Sequence, residues 1–284
     1  MWIAINEEKR MSDEKINKDK VITPDGELYF EELGKGKLPL ILIHSGFSDR
    51  RDWTYQMREL GKKYNTIAYD QRGSGNSSVI KNTFSPADDL KAIMNYLKIE
   101  KTFLVGHSIG GAIALDFSLQ YPEKISALVL IASGLNGYTW SQEYEQLISE
   151  IWSVPQPAEM TNKFLSSPFY AVSMSKPSIK CEIERITKDN FQKLLTWETF
   201  DIRSIHWYFP NAITKLKYLK IPILVIYGDK DSQDIKQIAQ LLNNNILNVT
   251  IAEIKNADHL LNFEKPNEIN KVILDFLTTV NQLD

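Results

Sequence analysis

A mostly parallel α/β sheet wound with helices on both faces is the fold class this sequence predicts, and three observations predict it. Short continuous apolar runs recur along the chain, segments with helical spacing separate them, and the central runs lack the alternation of a half-exposed sheet. The chain has 284 residues, enough for one large α/β domain or for a core carrying an insertion. Hydrophobic residues make up 43% and charged residues 24%, which excludes disordered and fibrous classes.

The elements follow in order. Residues 1–20 are mostly charged, lack an apolar stretch of signal-peptide length and are predicted to form a solvated tail. Within it, Met11-Ser12-Asp13-Glu14 resembles a second start. Lys20–Thr23, the turn residues Pro24-Asp25-Gly26 and then Glu27–Leu33 predict a hairpin. Buried-type strands are expected at Leu38–His44, Tyr64–Tyr69, Lys101–Val105, Ala127–Ile131, Ile221–Tyr227 and Asn248–Ile254. Helices are expected at Asp52–Leu60, Pro86–Leu97, Gly111–Gln120, Ile235–Leu242 and Pro266–Val280.

One interval breaks this rhythm. Residues 135–218 contain no convincing strand, several amphipathic stretches and 14 of the chain's 30 aromatic residues. Strands resume directly afterwards, so the expected organisation is a core of residues 21–134 and 219–284 with a helical insertion between them. Most of those aromatics would glue the insertion to the core. Trp140, Trp152, Trp197 and Trp207 are the candidates to line a substrate pocket.

The chemistry centres on Gly106-His107-Ser108-Ile109-Gly110, set between a buried strand and a helix. A serine on such a sharp turn is pushed out at the carboxyl end of the sheet, and the amide of Ile109 points at the place where an oxyanion would sit. The hydroxyl needs a base, and the chain has four histidines. His259 lies between the last strand and the final helix and is the expected base. His44 ends a strand and is expected to fix its loop, His107 to point away from the elbow, and His206 to be a packing or surface residue. Asp231, past the strand at Ile221–Tyr227, is the expected acid; Asp229 is read as holding the turn and Asp234 as capping the next helix. The second oxyanion amide is expected from Gly46 or Phe47.

At these residues the chain resembles the α/β-hydrolase superfamily, in particular its lid-bearing serine hydrolases, from Val21 to Leu283. Asp70-Gln71-Arg72-Gly73-Ser74-Gly75-Asn76-Ser77 is similar to that family's Asp-x-Arg-Gly-x-Gly-x-Ser segment. Ala257-Asp258-His259 with Phe263-Glu264-Lys265-Pro266 is similar to its catalytic-histidine loop. The resemblance implies an eight-stranded sheet, a lid at 135–218 and Ser108, Asp231 and His259 as triad. Ser45 stands where the family usually has glycine, which leaves open which amide of the loop donates.

The expected function is hydrolysis of a small carboxylic ester or lactone through an acyl-enzyme on Ser108. The same triad could serve carbon–carbon bond hydrolysis, acyl transfer or perhydrolysis, with Arg185 and Arg203 available to clamp a carboxylate. A low-turnover ligand receptor on the same fold is the alternative from another class. The expected partner is a small molecule. No metal or organic cofactor is expected, and Arg72-Gly73-Ser74-Gly75 lacks the third glycine of a dinucleotide fingerprint. A net charge of −3 gives no footprint for nucleic acid, no run is long enough for a membrane span, and the lone Cys181 suits a reducing, cytoplasmic compartment.

Overall fold

The computed structural model describes residues 16–198 and 205–282. The sheet has eight strands: β1 (Asn17–Thr23), β2 (Gly26–Leu33), β3 (Pro39–Ile43), β4 (Asn65–Tyr69), β5 (Thr102–His107), β6 (Ile125–Ile131), β7 (Ile223–Gly228) and β8 (Val249–Ile254). Their spatial order is β1-β2-β4-β3-β5-β6-β7-β8. β1 and β2 pair antiparallel, β2 meets β4 antiparallel, and every later pairing is parallel. This is the α/β-hydrolase fold.

The helices are α1 (Thr54–Leu60), α2 (Pro86–Tyr96), α3 (Ile109–Gln120), α4 (Gln142–Trp152), α5 (Pro157–Leu165), α6 (Ala171–Met174), α7 (Pro177–Leu194), α8 (Gln233–Asn245), α9 (Leu261–Glu264) and α10 (Pro266–Asn281). The central strands are apolar throughout because both faces are covered. Ile41 and Ile43 enter one core cluster while Leu40 and Leu42 enter the other, and all four are fully buried.

Two expectations need correction. The tail does not extend to residue 20: β1 begins at Asn17, and only residues 1–15 with the second start fall outside the described part. Its first four side chains are exposed, as an edge strand permits, so Asn17-Lys18-Asp19-Lys20 carries no apolar signal. Asp234 does not cap α8. Ser232 does, accepting from the Ile235 amide, while Asp234 accepts from the Ser141 hydroxyl at 2.6 Å and from the Tyr138 hydroxyl at 3.0 Å.

Between β6 and β7 the described residues form helices and short turns, with one isolated bridge from Phe84 to Ile205. This excursion closes on itself at its base. The Ile213 amide donates to the Asn136 carbonyl at 3.1 Å, and the Asn136 side chain donates to the Tyr208 carbonyl at 2.9 Å. Asp116 of α3 accepts from both the Asn136 side chain and the Tyr208 amide, at 3.0 and 3.1 Å. Farther out, α7 docks on the loops after β3 and β4: Asn190 donates to Asp49 of the first and accepts from the Gly75 amide of the second, and Lys193 donates to the Gly75 carbonyl.

Candidate active site

The chain enters at the β1–β2 edge, crosses to β3, steps back to β4 in the gap, and then passes to the other side of β3 to build the remaining half from β5 onward. The crevice at the carboxyl ends of β3 and β5 is therefore the topological switch point, where open α/β sheets bind ligands. Ser108 sits there on the β5–α3 turn with φ 54° and ψ −117°, a left-handed conformation costly for a residue with a side chain. Packing enforces it. A Cβ on Gly110 would stand 2.2 Å from the Ile43 carbonyl oxygen, so α3 lies hard against the end of β3.

His259 and Asp231 come from the loops after β8 and β7. Nδ1 of His259 lies 3.1 and 3.2 Å from the two carboxylate oxygens of Asp231, and both residues are buried. Asp231 also accepts from the Ser232 amide at 2.7 Å, which fixes its plane. The imidazole is thus held through Nδ1, leaving Nε2 as the nitrogen free to take a proton. Its ring meets Tyr170 of the insertion edge-on at 5.8 Å.

The loop after β3 supplies the opposite wall. Phe47 rather than Gly46 takes the left-handed conformation, at φ 53°, and its ring stacks on Phe191 at 4.6 Å. A Cβ on Gly46 would meet nothing closer than 3.9 Å, so no packing contact demands glycine there. Among the described residues the Gly46, Phe47 and Ile109 amides donate to no partner. His44 ties the loop down as expected: Nδ1 donates to the Ser45 carbonyl at 2.7 Å, and Nε2 accepts from the Gln71 amide at 2.9 Å.

One cavity of about 550 Å³ gathers these groups. Ser108, Asp231, His259, Gly46, Phe47 and Ile109 all line it, as do Trp140, Trp152, Trp197 and Trp207. Its wall is predominantly apolar, and among the described residues Arg72 is its one cationic side chain. That guanidinium is spent: Nε and Nη2 donate to Asp89, Nη1 to the Asp25 carbonyl and Nη2 to Thr23. Arg185 does not line the cavity, and Arg203 lies outside the described residues. No group of three or more His, Cys, Asp or Glu side chains among the described residues could hold a metal ion, and no helix there is long and apolar enough to cross a membrane.

His107 points away from the cavity that Ser108 faces. It is buried beneath the elbow, 2.8 Å from Asp52 through Nδ1 and 2.9 Å from the backbone carbonyl of His259 through Nε2. Sequence reasoning missed this support because Asp52 reads as an ordinary first-turn helix residue.

Comparison with known proteins agrees with this fold. The family profile described as alpha/beta hydrolase fold matches residues 39–156, spanning the β3 loop, the elbow and the start of the insertion. Over those residues the chain matches the α/β-hydrolase family, whose fold its sheet has. A 2-hydroxy-6-oxononadienedioate/2-hydroxy-6-oxononatrienedioate hydrolase from Paraburkholderia phymatum is 27% identical to this hydrolase, covering 88% of this chain and 90% of its own. The monoacylglycerol lipase ABHD6 of Homo sapiens is 25% identical over 88% of this chain and 78% of its own. Among solved structures, the naproxen esterase of Bacillus subtilis superposes with a TM-score of 0.76 at 19% identity, covering 97% of this hydrolase and 96% of itself.

Proposed function

We propose that this hydrolase cleaves an uncharged carboxylic ester or lactone through an acyl-enzyme on Ser108. The observation that carries the reading is the His259–Asp231 pair facing the same cavity as a serine held on a left-handed elbow. Ser108 Oγ attacks the carbonyl carbon as its proton passes to His259 Nε2. Negative charge grows on the carbonyl oxygen and is met by the Ile109 amide and by that of Gly46 or Phe47, a type of donor whose loss costs on the order of 100- to 1000-fold in turnover. Collapse of the intermediate breaks the bond to the leaving oxygen, which takes the proton from His259. Water then attacks the acyl-enzyme with His259 again accepting the proton, and the acid leaves.

The apolar wall, with Trp140, Trp152, Trp197 and Trp207 as its substrate-contacting tryptophans, supports an uncharged acyl or alcohol group. A dioate such as the one in the Paraburkholderia relative's name would bring two carboxylates into this cavity. Among the described residues the only lining cation is already paired with Asp89, so that substrate would stay desolvated and unmatched. The insertion serves as a lid, since α4, α5 and α7 all contribute to the cavity roof.

A fluorophosphonate probe followed by peptide mass spectrometry tests the reading. Labelling is expected at Ser108 and is expected to vanish in Ser108→Ala and His259→Ala. A folded wild-type protein that takes no label would overturn the acyl-enzyme and favour a receptor that binds without turnover.

A further inference from the structure

We infer that Asp52 and His107 form a buried carboxylate–imidazolium strut that positions His259 and the oxyanion loop relative to each other. The inference rests on the serine-hydrolase reading above and adds two positioning residues to it.

The geometry begins with what faces each ring nitrogen. Nε2 of His107 points at the His259 carbonyl oxygen at 2.9 Å, and a carbonyl can only accept, so Nε2 carries a proton. Nδ1 points at Asp52 Oδ2 at 2.8 Å, and the same oxygen accepts the Ser45 amide at 3.0 Å. An ionised Asp52 carboxylate can only accept, from the Ser45 amide and from the ring alike, so beside it Nδ1 carries a proton as well. His44 offers the contrast within the same site: its ring has one accepting and one donating neighbour, which a single ring proton satisfies.

Burial works against charge on His107, but the adjoining Asp52 carboxylate and its hydrogen bond outweigh it and hold the imidazole above its usual range. Asp52, itself fully buried, is held below the usual carboxylate range despite its desolvation, chiefly by His107. The other groups facing His107 are Asp231, which also favours its charge, the His259 ring at 5.4 Å, and the edge of Trp53 at 6.2 Å.

The strut joins places that must keep register during the reaction. One end holds the backbone of the proposed base; the other holds the Ser45 amide, next to the candidate oxyanion donors. Its centre is the residue preceding Ser108. The remaining backbone group of His259, its amide, meets the Phe169 carbonyl at 3.5 Å, so its firm anchor on the core side is His107.

Two substitutions separate the contacts. His107→Asn can still donate to Asp52 but falls short of the His259 carbonyl; His107→Gln reaches the carbonyl but gives up the Asp52 contact. With folding verified by melting temperature, His107→Asn is expected to lower kcat for an ester substrate on the order of 10- to 100-fold, as a misplaced base does. KM should stay within about twofold, and fluorophosphonate labelling of Ser108 should slow by the same factor as kcat. Nitrogen-15 spectra of the histidine rings, assigned through His107→Gln, should show both nitrogens of His107 protonated at pH 8 in the wild type. A neutral His107 at that pH, or a folded His107→Asn protein with wild-type kcat and labelling rate, overturns the strut. If the variant does not fold, the wild-type spectrum decides. Failure of the wild type to label at Ser108 counts instead against the serine-hydrolase reading, because the spectrum reads the strut without turnover.

Discussion

Residues at the elbow show two different uses of glycine. At Gly110 the helix backbone approaches β3 so closely that a methyl group would collide with the Ile43 and His44 carbonyl oxygens, at 2.2 and 2.6 Å. Neither atom belongs to a side chain that could swing away. Gly110→Ala is therefore expected to destabilise the protein by about 1–3 kcal/mol or to block folding. Gly46→Ala, with open space around its Cβ and its amide retained, should change stability by less than about 0.5 kcal/mol. Urea unfolding of both variants checks the pair, and equal effects would show that the elbow does not depend on this close approach. The strand–Gly-x-Ser-x-Gly–helix pattern was legible in the sequence because it encodes a local backbone demand. The left-handed turn at Phe47 was not. A phenylalanine does not announce a positive φ, and the conformation is held by aromatic rings from the insertion, Phe164 and Phe191, that lie more than a hundred residues away.

At the scale of elements, carboxyl groups are buried where the insertion meets the core. Burial pushes Asp116 on α3 up to about 7, against the opposing pull of the Tyr208 amide and the Asn136 side chain. Asp258, beside the proposed base, is likewise raised to about 7 by burial and by the adjoining Glu264 carboxylate, while it accepts from the Ser173 amide and hydroxyl of α6. An unfolded chain would release these protons near the ordinary aspartate value of 3.8. Between there and about pH 7 the folded state binds more protons than the unfolded one, so stability falls as pH rises through that window. Glu264 has the opposite sign, since it is held low and loses its contribution on the acid side of its ordinary 4.5. The melting temperature is expected to be several degrees lower at pH 8 than at pH 5. Asp116→Asn, neutral at both, should narrow the gap, and an unchanged gap would remove Asp116 as a cause. Element positions were largely readable, since continuous apolar runs mark strands covered on both faces. Where β1 starts was not, because an edge strand needs backbone pairing more than apolar side chains.

For the whole molecule, the arrangement of charge is expected to set substrate preference. The cavity is largely apolar, its one described cation is cancelled by Asp89, and the chain carries a net −3. An ester ending in a carboxylate should therefore be hydrolysed on the order of 100-fold less efficiently, in kcat/KM, than a neutral ester of the same length. Paired assays at two ionic strengths measure this, and equal rates would mean the charged end never enters the cavity. The triad candidates could be read from chain order and strand position, but the Asp52–His107 contact could not, because it joins side chains 55 positions apart that no motif links. The pinched base of the insertion carries a further consequence. Because Asn136 and Ile213 are hydrogen-bonded neighbours, everything between them leaves and re-enters the core at nearly one point. A chimera could exchange that stretch for a foreign sequence of different length without stretching either strand beside it, provided Asp116 and the two neck residues are kept. A directed-evolution library confined to this one stretch could therefore change what the enzyme admits, provided Phe164 and Phe191, which brace Phe47, and Tyr170 and Ser173, which meet the His259 loop, are kept.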